Sequence, residues 1–360
     1  MKKIMLAVQR LDKFGGAQRV ITNLANCYSR DGYETSLLTM LGGECVYGVE
    51  DGVKRLNVAS VCGESRSIGA KLKKIVQIRK FLKEERPDIV VTFHIDITFF
   101  LLIAMTGLNI PVVVSERHDP KVTPRRKSLR ILRKLLYPGV DGFVFQTEEA
   151  KSFFSEKIGK RSVVIGNPVR EDLPDIDGEK IFNNEIVSAG RLEAVKNHAL
   201  LLEAFSDVAG ELPEYVIKIY GEGSQRENLE KKILELGLEG RAELCGTVKD
   251  LPSKIKDSAL FVLTSNYEGI PNVLLEAMAL GIPSISTNCP CGGPELLIEN
   301  GVNGLLIQVG DRKALGEDMV KLLKDTELRD MISENAVGVR KRFALQKIYN
   351  DWKTFTDRFI

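Results

Sequence analysis

No apolar run in the 360-residue chain is long enough to cross a bilayer unbroken. The best candidate, residues 98–114, spans about 17 residues, the lower limit for a crossing, and Gly107, Asn109 and Pro111 interrupt it. A buried helix, a turn and a buried strand are expected there. The start, Met1-Lys-Lys-Ile-Met-Leu-Ala-Val, is basic, but its apolar stretch is too short for a signal peptide, so it reads as a first buried strand. The six cysteines (Cys27, Cys45, Cys62, Cys245, Cys289 and Cys291) show no paired metal spacing. Cys289-Pro-Cys291 is neither a redox C-x-x-C nor a zinc knuckle, and a reduced, cytosolic chain is the economical expectation. The G-x-G-x-x-G spacing of a dinucleotide site is missing, which argues against an NAD-binding oxidoreductase, and so is the G-x-x-x-x-G-K-[ST] phosphate loop. Low complexity and short-period repeats are lacking as well.

Acids are absent from residues 121–134, where Arg125, Arg126, Lys127, Arg130 and Arg133 accumulate. A second basic stretch, Lys71-Leu-Lys-Lys74-Ile-Val-Gln-Ile-Arg-Lys, has helical periodicity. The net charge of +2 hides this imbalance: residues 1–170 hold 29 Lys and Arg against 17 Asp and Glu, and the remainder holds 22 against 32. Basic amphipathic helices suit an anionic membrane surface, with Lys71, Lys74, Arg125, Arg126 and Arg130 expected to face it. An ordinary solvated face is the plain alternative. No aromatic interleaving or nucleic-acid motif accompanies the cations, so no nucleic acid is expected as a partner.

The apolar pattern alternates strand-like and helix-like runs, the mark of parallel α/β architecture. Strands are expected at residues 4–8, 34–39, 89–93, 112–115, 142–145 and 162–165, with helices at 17–30, 69–83 and 127–136. The pattern restarts with strands at 186–189, 215–220, 242–244, 260–263 and 282–287 and helices at 198–208, 224–236 and 272–280. Two doubly wound domains follow, at 1–170 and 171–344, with ligands at the carboxyl ends of their strands. A final helix, 345–360, carries the single Trp and is expected to brace the first domain. Asp175-Ile-Asp177 mimics a D-x-D metal motif but lies in the polar linker, so no metal is expected.

Several strand-to-helix turns carry chemistry. Gly15 and Gly16 stand where a backbone would approach an anion. Arg191 and Lys196 border the crevice of the second domain, where two cations can clamp a diphosphate and stabilise its departure. Gly221 and Gly223, then Thr247 and Val248, lie on further turns of the same edge. In Glu268-Gly-Ile-Pro-Asn-Val-Leu-Leu-Glu276, a helix start opens between two carboxylates. Its free N–H groups suit a phosphate and the acids suit sugar and ribose hydroxyls. Pro271 fits a first helical position. The bland alternative is a helix-dipole Glu and a solvated Glu.

Taken together, Gly15-Gly16, Gly190-Arg-Leu192, Lys196-Asn197, Tyr220-Gly-Glu-Gly223 and the spaced glutamates resemble the retaining glycosyltransferases of family 4. So do Ala277-Met-Ala-Leu-Gly-Ile-Pro283 and Asn300-Gly-Val-Asn-Gly304. The resemblance spans nearly the whole chain and implies a GT-B fold, two Rossmann-like domains facing across a cleft, with donor held by the second and acceptor by the first. It implies that Arg191 and Lys196 contact the donor diphosphate, Glu268 the transferred sugar and Glu276 the ribose. Gly16, Gly269, Ile270, Pro271, Asn272 and Val273 would approach phosphate and sugar. The chain departs from the family where many members place a His beside the sugar: here the order is Glu116-Arg117-His118, leaving the reacting-centre residue open among the three. Gly15, His94, Asp96, Glu116 and Arg117 are acceptor-site candidates and His118 a catalytic one. The expected reaction moves a hexose or N-acetylhexosamine from a UDP-sugar to a saccharide, such as one carried on a polyprenyl diphosphate, at the cytoplasmic face of a membrane, with no cofactor. A UDP-sugar 2-epimerase of the same fold and a non-catalytic sugar-nucleotide-binding protein are the rivals.

Overall fold

The computed structural model describes every residue except Phe14, Arg66, Asp177, Gly178 and Glu179. Asp177, one half of the D-x-D stretch, therefore lies outside the described residues. Internal contacts divide the chain into two units, Met1–Asn167 with Leu345–Ile360, and Pro168–Ala344.

The first unit runs β1 (Lys3–Val8), α1 (Gly16–Arg30), β2 (Glu34–Thr39), β3 (Val53–Asn57), α2 (Ala59–Cys62), α3 (Ile68–Glu85) and β4 (Ile89–Phe93). It continues with α4 (Ile95–Met105), β5 (Val112–Glu116), α5 (Lys127–Leu136), β6 (Gly142–Phe145), α6 (Glu148–Ser152), α7 (Glu156–Gly159) and β7 (Ser162–Val164). The strands form one parallel sheet in the order β3-β2-β1-β4-β5-β6-β7. β4 and β6 are buried throughout, as expected for strands covered on both faces. The sequence pattern missed β3, because edge strand Val-Lys-Arg-Leu-Asn buries only Val53 and Leu56. Right-handed crossovers put α3, α4 and α5 on one face of the sheet, with α4 packed against both neighbours. No described helix is long and apolar enough to cross a membrane.

Two cations expected to face a membrane do otherwise. Lys74 is buried on α3, its Nζ donating to the Ser65 carbonyl at 3.2 Å. The periodic stripe that faces Ala70, Ile78 and Leu82 inward takes Lys74 with it. Arg130 donates through Nε to Pro124 O at 2.8 Å and through its other arm to Lys121 O and Val122 O. Carbonyls that lack a ladder partner in the loop before α5 thus occupy its guanidinium. Lys71, Arg125 and Arg126 are exposed.

The second unit contains β8 (Glu185–Ala189), α8 (His198–Val208), β9 (Val216–Tyr220), α9 (Arg226–Glu235), β10 (Ala242–Gly246), α10 (Leu251–Ile255) and β11 (Leu260–Leu263). It continues with α11 (Asn272–Ala279), β12 (Ser284–Thr287), α12 (Gly293–Leu297), β13 (Leu305–Ile307), α13 (Arg312–Lys324), α14 (Thr326–Ala336) and α15 (Val339–Arg342). Its sheet, also parallel, has the order β10-β9-β8-β11-β12-β13. Each unit is thus a Rossmann-like layer of helix, sheet and helix.

The last helix, α16 (Leu345–Thr356), belongs to the first unit. Trp352 is wholly buried and stacks on Phe93 with centroids 5.5 Å apart. Tyr349 donates to Asp31 at 2.8 Å, and the hydroxyls of Tyr28 and Thr356 bond at 2.8 Å.

Candidate active site

In the second unit the strand order reverses between β8 and β11. Chain leaves these two strands toward opposite sides, which opens a crevice at their carboxyl ends. The turns around it are stitched edge to edge: Gly190 N–H donates to Tyr220 O at 2.9 Å, Gly221 N–H to Gly246 O at 2.8 Å, and Leu192 N–H to Glu222 O at 2.9 Å. A Cβ on Gly221 would stand 1.9 Å from Gly190 O, and one on Gly223 2.4 Å from Leu192 O. Contact between turns is therefore sufficient cause for both glycines, which the sequence had set against a donor. Thr247, exposed, and Val248, half-buried, follow Gly246 on the same edge.

Arg191 emerges exposed directly after Gly190. The carbon stem of Lys196 lies over Gly190, where a Cβ would come within 3.1 Å of Cε. Asn197, with φ of 48°, then starts α8. This turn is fastened to the end of β11. Thr264 Oγ1 donates to the carbonyls of Lys196 and Asn197 at 3.0 and 2.9 Å, and Asn266 N–H donates to Val195 O at 2.8 Å. Lys196 Nζ is thereby delivered to Glu268 Oε1, with which it forms an ion pair. Ser265 Oγ donates to the same oxygen at 2.8 Å. Both side chains of the pair are mostly covered, at 14% and 16% exposure.

A bond from Glu268 N–H to Pro290 O (2.9 Å) holds the loop after β11 to the loop after β12. A Cβ on Gly293 would lie 1.5 Å from Gly269 O, so these loops touch through backbone alone. Pro271 caps α11 instead of opening it, one residue earlier than expected, and the amides of Leu274 and Leu275 close on its carbonyl. Gly269 is half-buried and Ile270 buried, and Asn272 and Val273 begin the helix, at positions whose N–H groups the helix ladder itself does not use. Glu276 is buried on the same helix. Its charge reaches Arg170, whose pKa is raised first by its bonds to Asp172 (2.8 and 2.6 Å) and further by Glu276.

Sequence reasoning missed Arg170, Ser265 and His198. Buried His198 meets Ser188 Oγ through Nδ1 at 3.2 Å, and its pKa falls to about 4 through burial and then the charge of Lys196. Cys289, also buried, has its thiol pushed up to about 12 by burial and then by the charge of Glu268, which leaves it protonated and inert. The place of Thr264-Ser265-Asn266 directly after an apolar strand was the available signal for Ser265.

In the first unit Gly15 caps α1, and the Tyr47 hydroxyl closes on both its N–H (3.0 Å) and its carbonyl (3.1 Å). Gly16 is the first residue of that helix. His94 follows β4 with φ of 74°, and Asp96 is exposed in the first turn of α4. Glu116 and Arg117 are not acceptor-facing. β5 extends through Glu116, which is buried and accepts a hydrogen bond from Tyr137; burial raises its pKa. The Arg117 guanidinium is buried over the rings of Phe93 (4.1 Å) and Trp352 (5.6 Å), and it donates to Asn167 Oδ1 at 2.6 Å. Burial brings its pKa down to about 9. His118 is the exposed member of the three, and its ring meets that of His94 edge-on at 5.6 Å. His94 Nε2 is enclosed without a hydrogen-bond partner, and burial, then the charges of His118 and Arg117, lower its pKa to about 3. Among the described residues, no three His, Cys, Asp or Glu side chains gather as a metal site would require.

Two family models match in tandem: Glycosyltransferase Family 4 over residues 14–173 and Glycosyl transferases group 1 over residues 170–338. With two Rossmann-like units, this chain belongs to the family 4 glycosyltransferases of GT-B fold. It is 27% identical over 355 residues to an uncharacterized glycosyltransferase of Haemophilus influenzae, covering 98% of this chain and 99% of that one. It is 28% identical over 356 residues to the GalNAc-alpha-(1->4)-GalNAc-alpha-(1->3)-diNAcBac-PP-undecaprenol alpha-1,4-N-acetyl-D-galactosaminyltransferase of Campylobacter jejuni, covering 98% and 97%. Among solved structures, Anabaena HepE in complex with UDP and glucose superposes with a TM-score of 0.82 at 20% identity, over 99% of this chain and 100% of that one.

Proposed function

We propose that the enzyme transfers a hexose or N-acetylhexosamine from a UDP-sugar to a saccharide acceptor, with retention at the anomeric carbon, in the assembly of a cell-surface glycan. The observation that carries this reading is the Lys196–Glu268 pair at the carboxyl ends of β8 and β11, with Arg191 exposed beside it. In the reaction the bond between the anomeric carbon and the β-phosphate oxygen breaks, and its electron pair leaves on UDP. The acceptor oxygen bonds that carbon on the same face, and its proton passes to the departing phosphate. Arg191 and Lys196 offset the charge growing on the diphosphate. Glu268 holds the sugar hydroxyls and Glu276 the ribose, while the start of α11, residues 269–273, takes phosphate and sugar on its N–H groups. Thr247 and Val248 border the base.

The second unit is then the donor-binding domain and the first, with His94, Asp96 and His118 exposed or half-exposed at its strand ends, the acceptor-binding domain. UDP and glucose in the Anabaena structure, and the undecaprenol-linked acceptor in the name of the Campylobacter enzyme, support the donor and a polyprenyl-diphosphate acceptor. An acceptor of that kind fits an enzyme that works as a peripheral protein on the cytoplasmic face of a membrane. The test is a screen of UDP-sugars by thermal shift, followed by mass spectrometry with lipid-linked saccharides. A product heavier by one sugar is expected. Conversion of the UDP-sugar alone to an epimer, or donor binding without turnover on any acceptor, would overturn the assignment.

A further inference from the structure

The helix layer α3-α4-α5 of the first unit leaves large apolar side chains in water. Ile68, Leu72 and Val76, four residues apart along α3, are 78%, 60% and 68% exposed. Ile131 and Leu135, four apart on α5, are 61% and 70% exposed, and Ile103 of α4 is 41% exposed. Spacing of four puts each set on one side of its helix. The two helices flank α4 on the same face of the sheet, and Arg79 of α3 ties to the end of α4 through Ala104 O (2.7 Å) and Thr106 O (2.8 Å). Cations border both stripes. Lys71 and Lys73 are exposed on α3, and Arg125, Arg126, Lys127 and Lys134 are exposed on or just before α5. Residues 121–134 contain no acid.

We propose that this layer is a membrane-insertion surface: Ile68, Leu72, Val76, Ile131 and Leu135 enter the headgroup region of an anionic bilayer while the surrounding Lys and Arg pair with lipid phosphates. The proposal rests on the reading of the enzyme as peripheral, and it changes the agent of binding from charge alone to charge plus apolar insertion. An apolar stripe bordered by cations is the pattern of helices that lie in the interface plane. Charge selects this occupant over a second copy of the chain, since two such faces would bring like charges together. Lys74 and Arg130, spent on internal carbonyls, take no part.

The experiment is flotation of the full chain with vesicles of phosphatidylcholine alone and of phosphatidylcholine with one-third phosphatidylglycerol. Wild type, Leu72→Ser/Val76→Ser and Ile131→Ser/Leu135→Ser are compared at low and high salt. Wild type is expected to float with the anionic vesicles, and each double variant to lose roughly tenfold or more in partition. Variants that float like wild type would refute insertion. So would a wild type that fails to float, or a wild-type dimer that the substitutions dissolve. Transfer to a short water-soluble saccharide reads the enzymatic assignment separately. The variants should retain it, so loss of flotation with retained transfer supports the membrane surface alone. Flotation without transfer on any acceptor would instead count against the enzymatic reading.

Discussion

Lys196 and Glu268 lie 72 positions apart in the chain and share an ion pair because the turn after β8 is bolted to the end of β11 through Thr264 and Asn266. The pair holds a cation and an acid ready at one spot in a mostly covered place, where charge interactions are stronger than in water. Glu268→Gln is expected to keep the fold and lower kcat/KM by roughly a hundredfold or more. Lys196→Ala should do the same and also destabilise the unit by about 1–3 kcal/mol, because the acid loses its partner. Steady-state kinetics with the identified UDP-sugar, together with urea denaturation, check both. Unchanged turnover in Glu268→Gln would remove the donor assignment.

Gly221 and Gly293 face backbone oxygens at 1.9 and 1.5 Å from where a Cβ would be, and Gly221 also has φ of 141°. Alanine at either position is expected to cost roughly 3 kcal/mol or more and to weaken UDP binding through displacement of the turns. Gly210, exposed with nothing near its Cβ position, is the control, and alanine there should stay within about 0.5 kcal/mol. Equal Cm values for all three variants would contradict the close contacts.

Among Glu116, Arg117 and His118, only the last is exposed, and this separates their expected phenotypes. Arg117→Met, which covers the stacked rings of Phe93 and Trp352 without a buried charge, should leave stability near wild type or raise it. Its acceptor KM should stay within about twofold, as for a group that touches no substrate. His118→Ala should reduce transfer by roughly tenfold or more with little change in Tm. The reverse pattern would return the reacting centre to Arg117.

His198 has its folded pKa lowered from the ordinary 6.5 to about 4, so its contribution is fully present above pH 6.5. Between pH 6.5 and 4 the unfolded chain takes up a proton that the folded one refuses, and stability falls as pH falls. The slope for this one group approaches about 1.4 kcal/mol per pH unit. His198→Gln should flatten that part of a stability-against-pH curve, measured by denaturation at several pH values. An unaltered slope would mean that His198 is not held neutral.

Much of this architecture was readable before any coordinates. β2, β4, β6, β11, α5 and α8 occupy the residues their patterns predicted, because continuous apolar runs and helical periods are local signals. β3 and β13 escaped for the opposite reason: one is an edge strand that buries only Val53 and Leu56, three apart and without strand alternation, and the other, Leu305–Ile307, is three residues long. Arg191 was legible as a strand-end residue, Lys196 as one just before a helix and Glu268 as one on the loop that opens a helix, since a parallel sheet puts its ligand edge at the carboxyl ends of its strands. The ion pair, Ser265 beneath it and the inward turn of Glu116, Arg117 and Lys74 were not, because each depends on which element packs across from it. Gly221 and Gly223 show the same limit, as spacing marks the turn but not the neighbouring backbone that forbids a side chain.

Placing α16 in the first unit has a consequence for the order in which the protein is made. Met1–Asn167 leaves the ribosome long before Leu345–Ile360, so the nascent sheet lacks Trp352 against Phe93 and the second ring beneath Arg117. The second unit, Pro168–Ala344, meets no such delay and has its whole chain available once it has emerged. The domain translated first is therefore completed last, with an unfilled apolar seam kept waiting through the synthesis of the other. Completion of the first unit waits for residues 345–360, and a message truncated anywhere before Leu345 is expected to yield a chain whose amino-terminal half stays open to chaperones and proteases.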